Sequence, residues 1–312
     1  MRIARSITAA CTAAFLLTAG GSPLDAQGSL STQGFGYPPG QVSARAVGTG
    51  GGSAEIDPLS PINPAALINW GASAVFLQAE PEFRTVTVNG LESRTTTWRY
   101  PLVMGALSVG PRAIVALSSS TLLDRTWSTT EEADIDVEGT PTAAITTYNS
   151  EGAINDIRLA GAYAPRPWLR LGLGAHAFTG RNLLTLRTEF LDSLAFTLLE
   201  STTSISYGGN AVSAGVEARV RNFSVAASGR VGGSITAERN DSTLSRGDVP
   251  TRFGVGVAYL GIRGGTIGLR ASHEGWSSLS KLGSAGFTAH DAWDLGAGAD
   301  VPGQAWLPAA QM

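Results

Sequence analysis

Apolar and polar residues alternate with a period of two along most of the chain from Ala72 onward. In the stretch WLRLGLGAHAFTG (168–180), leucine and alanine fall on one side of an extended chain. Arginine, glycine, histidine and phenylalanine fall on the other. Alternation of this length predicts a β-strand whose two faces meet different surroundings. The same period recurs at 210–221, 252–260 and 266–274, and no comparable helical pattern follows the first 26 residues.

The connections between the alternating stretches are of two kinds, tight turns and long polar loops, and the two kinds follow each other along the chain. The tight turns lie near Gly110, Pro165, Arg221 and Arg263. Short turns at one end and long loops at the other are typical of outer-membrane β-barrels. The long excursions occupy 126–155, 187–206, 237–249 and 274–291. About ten strands are predicted: 70–88, 91–109, 112–128, 152–164, 168–190, 202–220, 223–239, 250–262, 265–280 and 291–301.

The composition agrees with a membrane-embedded sheet. Only 15% of residues are charged, against about 25% in ordinary soluble domains. Every backbone N–H and C=O must be paired in hydrocarbon, and a sheet achieves this by closing on itself. We therefore predict an all-β fold, a transmembrane antiparallel β-barrel with lipid outside and a polar bore inside. The net charge of −3 lacks the basic excess of a nucleic-acid-binding protein, so no nucleic-acid partner is expected.

Residues 1–26 have the features of a secretory signal peptide. Arg2 and Arg5 precede an apolar run at 7–19, and Ala26 ends a plausible cleavage site. The run is shorter than the roughly 20 residues of a membrane-spanning helix. Cys11, the single cysteine, would be removed with this peptide, so neither a disulfide nor thiol chemistry is expected in the mature chain.

A stiff, proline-containing segment precedes the first predicted strand. It contains SARA at 43–46, Asp57-Pro58, and Asn63-Pro64-Ala65 followed by Ala66-Leu67. Residues 31–70 resemble the beginning of the FadL-like family of outer-membrane long-chain fatty-acid transporters. The strand–turn–strand sequence at 161–174 is also similar to that family. Barrels that serve as type IX secretion shuttles carry a similar box, so the resemblance leaves the cargo open.

The resemblance implies that residues 27–69 fold into the barrel as a hatch. Hydrophobic molecules would then pass beside it and leave laterally through a kink in a strand. Asp57, Pro58, Asn63, Pro64 and Ala65 would form the hatch motif. The prolines fix φ and remove backbone donors, which suits a stiff segment without strand partners. The alternative is an ordered periplasmic lead-in without a gating role.

The barrel is expected to span 70–301, followed by an irregular tail at 302–312. The alternating pattern dissolves in this tail, and no terminal aromatic residue follows to serve as an assembly signal. We therefore expect that the reading is truncated and that further strands would follow.

Several arginines lie on the polar faces of the predicted strands. The guanidinium group suits a carboxylate because its donors form a planar fork. The alternative is a salt-bridged bore in which each arginine has a carboxylate of the protein as its partner. The candidate ligand-contacting residues are Arg158, Arg170, Arg219, Arg230, Arg252 and Arg270.

No catalytic or metal motif is visible in the sequence. His176, His273 and His290 lie far apart and lack metal-ligand spacing, and no Gly-x-Ser-x-Gly elbow occurs. We therefore expect no enzyme, no metal and no cofactor. A barrel hydrolase would assemble acid, base and nucleophile from separate strands, so the sequence does not exclude one.

The predicted function is passive uptake of hydrophobic or amphipathic small molecules, such as long-chain fatty acids, across the outer membrane of a Gram-negative-type bacterium. The alternative is a structural or secretion-associated barrel that binds a protein partner. The other expected partners are outer-membrane lipid, lipopolysaccharide and the barrel-assembly machinery.

Overall fold

The computed structural model describes residues 36–88, 91–137, 140–191, 197–262, 265–282 and 288–300. The predicted signal peptide, the tail at 302–312 and the turn at 263–264 lie outside these residues.

The described residues form twelve strands, and every strand pair is antiparallel. One short α-helix, α1 (Ala44–Gly48), and a first 3₁₀ helix (Pro64–Trp70) precede them. A second 3₁₀ helix (Trp276–Leu282) lies between the last two strands. The strands are β1 (Ala74–Val88), β2 (Leu91–Ser108), β3 (Ala113–Asp124), β4 (Trp127–Val137), β5 (Thr140–Arg166), β6 (Leu169–Phe190), β7 (Leu199–Val220), β8 (Phe223–Arg239), β9 (Ser242–Asp248), β10 (Arg252–Ile262), β11 (Gly265–Glu274) and β12 (Ala292–Asp300).

Ten of these strands follow one continuous path, β1-β2-β3-β5-β6-β7-β8-β10-β11-β12. They correspond to the ten strands that the alternation predicted, although the strand predicted over 265–280 ends at Glu274, because the chain turns into the second 3₁₀ helix there. The two additional strands, β4 and β9, pair with β5 and β8 respectively and lie in the excursions predicted as loops at 126–155 and 237–249. The prediction of plain loops there was wrong, because polar β-hairpins that project past the main sheet have no apolar face for the alternation to reveal.

The two faces of the sheet have opposite chemistry. Apolar side chains such as Leu173 (71% exposed) and Leu269 (61%) point outward, whereas Arg158, Glu217 and Arg252 are buried on the inner face. This arrangement inverts that of a water-soluble protein, in which charged side chains are rarely fully buried. It is the arrangement expected of a sheet whose outer face meets hydrocarbon and whose charges face an enclosed space. No helix within the described residues is long and apolar enough to cross a bilayer.

The sheet curls around residues 36–70, which we call the inner segment. We call the space enclosed by the sheet the bore. The sheet's edge strands β1 and β12 are not hydrogen-bonded to each other within the described residues. Helix α1 contacts both edges instead. The Ala44 N–H donates to Gln78 Oε1 on β1 at 2.8 Å, and Arg45 Nη2 lies 2.7 Å from Asp300 Oδ2 on β12. Neighbouring residues of one helix therefore bridge the two edges.

The ends of the sheet differ as the sequence predicted. At one end, which we call the turn end, short connections at 109–112, 167–168 and 221–222 join the strands. Arg221 adopts a positive φ of 54° in the last of these turns, as tight hairpins require. At the other end, the loop end, β5, β6 and β7 extend furthest, with lengths of 27, 22 and 22 residues.

Candidate functional site in the bore

The inner segment runs along the bore toward the turn end. It begins with Tyr37, which pairs with Asp124 at the loop-end terminus of β3 through backbone hydrogen bonds of 2.6 and 2.7 Å. It ends with the first 3₁₀ helix, which packs on β3, β5, β6 and β7. The polypeptide therefore crosses the bore instead of lying outside the sheet.

The predicted hatch motif forms a compact, buried turn system. Asp57 accepts hydrogen bonds from the hydroxyls of Ser43 (2.5 Å) and Ser60 (2.7 Å). Asn63 caps the first 3₁₀ helix by accepting from the Ala65 N–H at 3.0 Å, and its amide donates to the Glu55 carbonyl at 2.7 Å. These bonds satisfy donors that would otherwise be unpaired at a helix start. Pro58 lies next to Asp57, and Pro64 is the first residue of that 3₁₀ helix.

Glu55 anchors the inner segment to strands β8 and β10 of the sheet. Its carboxylate accepts hydrogen bonds from Arg252 of β10 and from the Ser228 hydroxyl of β8, the latter at 2.7 Å. Arg270 Nε of β11 lies 3.7 Å from the same carboxylate. The Glu55 side chain is fully buried, so the pair exists in a low-dielectric environment where a lone charge would be costly.

A second carboxylate, Glu217 of β7, forms another anchor near the turn end. It accepts from Arg170 Nη1 at 2.8 Å and from the Ser224 hydroxyl at 2.7 Å, and Arg219 Nη2 lies 3.3 Å away. The Asn69 amide of the inner segment donates to its second oxygen at 2.7 Å. Two of the predicted arginines therefore share one carboxylate.

Glycines on the inner face make room for the inner segment. A β-carbon at Gly172 would overlap Pro64 and Ala65, and one at Gly215 would overlap the Asn63 side chain. A β-carbon at Gly254 would likewise overlap the Glu55 side chain. The inward glycines of the alternating pattern therefore allow close approach between the sheet and the hatch motif.

The six candidate arginines differ in their partners. Arg170, Arg219, Arg230, Arg252 and Arg270 each lie within 4.0 Å of a carboxylate oxygen. This is the arrangement expected of a salt-bridged bore. Whether any of the six contacts a ligand stays a prediction.

Arg158 of β5 is the exception. It is 1% exposed, and none of its three guanidinium nitrogens has a hydrogen-bond partner among the described residues. The Ser118 hydroxyl, at the position that pairs with Arg158 across β3 and β5, is likewise buried without a partner there. Burying a guanidinium without hydrogen bonds is costly, because the electrostatic attraction of Asp156 offsets only part of its desolvation.

An apolar cluster fills the bore toward the loop end. The second 3₁₀ helix covers it with Leu279 and Leu282, and the Ser277 N–H fixes that helix by donating to Asp291 at 2.9 Å. Hydrogen bonds from Ser277 lower the pKa of the Asp291 carboxyl. We call this group the loop-end cluster; its members include Leu122, Ile154, Phe178, Tyr207, Ile235 and Leu279.

A hydrogen-bonded chain of Asp156, His176 and Ser213 lies directly below the loop-end cluster. His176 Nδ1 is 2.8 Å from Asp156 Oδ1, and His176 Nε2 is 2.8 Å from Ser213 Oγ. Asp156 also accepts from the Gln41 amide of the inner segment at 2.8 Å, and Arg230 Nη1 lies 3.5 Å away. All three members of the chain are buried on the bore side.

Sequence reasoning missed the carboxylates that organise this interior: Glu55, Asp156 and Glu217. The lone His176 was expected to be a bore or loop residue, and the structure places it in the bore. Inward-facing acidic positions on alternating strands were the available signal, but pairing them required the register between strands. Within the described residues, no group of three or more His, Cys, Asp or Glu side chains could hold a metal ion.

Comparisons with known proteins find similarity among solved structures. No family model and no curated protein matches the chain. Among solved structures, the chain is similar to the toluene transporter TbuX of Ralstonia pickettii, with a TM-score of 0.48 and 13% identity. The similarity covers 83% of this chain and 79% of that one.

Proposed function

We propose that this protein is a passive outer-membrane channel for hydrophobic or amphipathic small molecules, and that the inner segment acts as its hatch. One observation carries the proposal: the bore of an apolar-surfaced sheet contains a buried apolar cluster near Arg158, a buried arginine whose guanidinium has no hydrogen-bond partner among the described residues. Apolar surface inside a polar bore binds the hydrocarbon part of a ligand, because burial there removes that part from water.

Arg158 would hold the polar end of an amphipathic ligand. Because the buried guanidinium makes no hydrogen bond to the part of the chain that the structure describes, a ligand carboxylate there would supply charge-assisted hydrogen bonds. The neighbouring Arg230 adds positive charge, while Asp156 is the nearby acid. This local excess of positive charge favours fatty acids over neutral hydrocarbons, and the apolar cluster accepts both.

Uptake by bacterial cells with and without the gene tests the proposal. We expect faster accumulation of radiolabelled long-chain fatty acid and of toluene when the protein is present. The Arg158→Met variant should weaken fatty-acid uptake about 10-fold to 100-fold at limiting concentration, because hydrogen bonds to charged groups contribute about 1.5–3 kcal/mol. Toluene uptake should change little.

Arg219→Met is the matched control, since Arg219 lies near the turn end and pairs with Glu217. Equal uptake of both compounds with and without the protein would overturn the channel. Equal loss of both compounds in Arg158→Met would overturn the anion-anchoring role.

A further inference from the structure

We infer that Ser213, His176 and Asp156 form a hydrolytic site for carboxylic esters that carry an apolar acyl chain. The three residues occupy neighbouring strands β7, β6 and β5, and all point into the bore. This activity goes beyond passage of a ligand and does not rest on it, since hydrolysis can be measured on the detergent-solubilised protein.

The geometry gives each residue a distinct role. Asp156 lies against His176 Nδ1, so the carboxylate selects the tautomer that carries its proton there. Nε2 is then free to accept the proton of the Ser213 hydroxyl, which lies 2.8 Å away. A nucleophile within hydrogen-bond reach of a base, itself oriented by a third group, is the arrangement that activates serine.

The position of Asp156 is fixed by contacts outside the chain of three. Gln41 of the inner segment donates to Asp156 Oδ2 at 2.8 Å and to the Ser120 hydroxyl at 2.8 Å. Arg230 Nη1 in turn donates to the Gln41 side-chain oxygen at 2.7 Å. A carboxylate held in this way keeps the imidazole in one orientation.

Gly174 and Arg158 are close neighbours of the Ser213 hydroxyl. A β-carbon added at Gly174 would lie 2.6 Å from Ser213 Oγ and 3.4 Å from Arg158 Cδ. The absence of a side chain at Gly174 therefore lets the Ser213 hydroxyl lie close to the β6 backbone, beside the Arg158 side chain. Because the Arg158 guanidinium has no hydrogen-bond partner among the described residues, it is the group that would stabilise a developing oxyanion.

The substrate class follows from the position below the loop-end cluster. The Phe178 ring is stacked on the His176 ring, with 6.2 Å between centroids and 10° between planes. Ala211, two residues before Ser213 on the same face, also belongs to the cluster. An acyl chain in the cluster would place its ester carbonyl at the level of Ser213, so an apolar acyl ester fits and a short, polar one gains little.

Ester hydrolysis at this site would consume one water molecule and proceed in two steps. Ser213 Oγ attacks the carbonyl carbon while its proton passes to His176 Nε2. The bond to the alcohol oxygen breaks, and the alcohol leaves with that proton. Water then attacks the acyl-serine, its proton passes through His176 back to Ser213 Oγ, and a carboxylic acid is released.

Labelling with a fluorophosphonate and hydrolysis of p-nitrophenyl esters test the inference on the full chain in detergent. We expect one adduct, located at Ser213 by peptide mass spectrometry, and faster release of p-nitrophenolate from the octanoate than from the acetate. Ser213→Ala should abolish the adduct and lower kcat at least about 1000-fold, because nucleophile removal leaves only binding and oxyanion stabilisation.

Two further variants separate catalysis from structure. Ser224→Ala removes a buried bore-side hydroxyl that bonds Glu217 and should leave the adduct intact. Gly174→Ala places a methyl group 2.6 Å from Ser213 Oγ, so it should push the hydroxyl away from His176 and block labelling without removing any of the three residues. Because the site is covered by Gln41, labelling is also measured in Glu55→Gln, in which the inner segment is released. Absence of a Ser213 adduct in both wild type and Glu55→Gln, or unchanged hydrolysis in Ser213→Ala, would overturn the inference.

Discussion

Glu55 and Arg252 form a buried ion pair between the inner segment and β10, although 197 positions separate them in the sequence. Both side chains are at most 3% exposed. The pair is shared with Ser228, which bonds both partners at 2.7 and 2.9 Å. The ion pair therefore holds the inner segment against β10.

Glu55→Gln should release the inner segment and make the bore leaky. Removing one partner of a buried ion pair costs up to about 3–5 kcal/mol, and Glu274, 3.4 Å from Arg252 Nε, offsets part of this loss. We expect faster entry of small hydrophilic sugars in liposome-swelling assays and a lower midpoint of urea unfolding. Glu189→Gln is the control, because its pair with Arg187 is about half exposed and such pairs contribute roughly 0–1 kcal/mol. Equal behaviour of the two variants would show that Glu55 is not an anchor.

Gly215→Val should displace the Asn63 box from the sheet. The added side chain would occupy the space of the Asn63 amide, and overpacking of this kind typically costs about 1–3 kcal/mol. Gly105→Ala is the matched control on β2, because a β-carbon there has no neighbour within 4 Å. Thermal unfolding in detergent, followed by the loss of heat-modifiable migration on gels, distinguishes them. A control that is destabilised as much as Gly215→Val would contradict the close-approach explanation.

Asp57→Ala should loosen α1, because Ser43 and Ser60 lose their common acceptor. Leaving such buried hydroxyls unsatisfied costs about 1–3 kcal/mol, which corresponds to roughly 10-fold more frequent opening. Arg45 is the basic residue of the inner segment, so tryptic cleavage after it reports this opening. Asp134→Ala, on the exposed strand β4, serves as the control. Unchanged cleavage at Arg45 in Asp57→Ala would contradict the role of Asp57 in holding the segment.

Leu173→Arg should test whether the outer face meets lipid. The residue is 71% exposed on the outer face of β6, and an arginine on the lipid face of a β-barrel costs up to about 2–4 kcal/mol, the most at the bilayer midplane. Leu191→Arg, 68% exposed just after β6, should cost little because it lies outside the strands. Urea unfolding in lipid bilayers measures both. If the two variants unfold at the same urea concentration, the outer face is not lipid-covered.

The sequence by itself determined the ten strands of the main path and the sides on which their residues fall. It could do so because alternation is a local property: Leu173 and Gly174 differ in environment simply by being neighbours on a pleated strand. The turn at Asn63-Pro64 could also be predicted from the sequence, since the tendency to form a turn depends on adjacent residues.

Tertiary structure alone decided which side chains meet across the bore. The pairing of Glu55 with Arg252, and the isolation of Arg158, depend on strand register and on the course of the inner segment. The Asp156–His176–Ser213 chain needs three strands in one alignment, because hydrogen-bond distances between side chains follow from the diagonal neighbours that the register creates. A one-residue slip of any of these strands would turn its member toward the lipid.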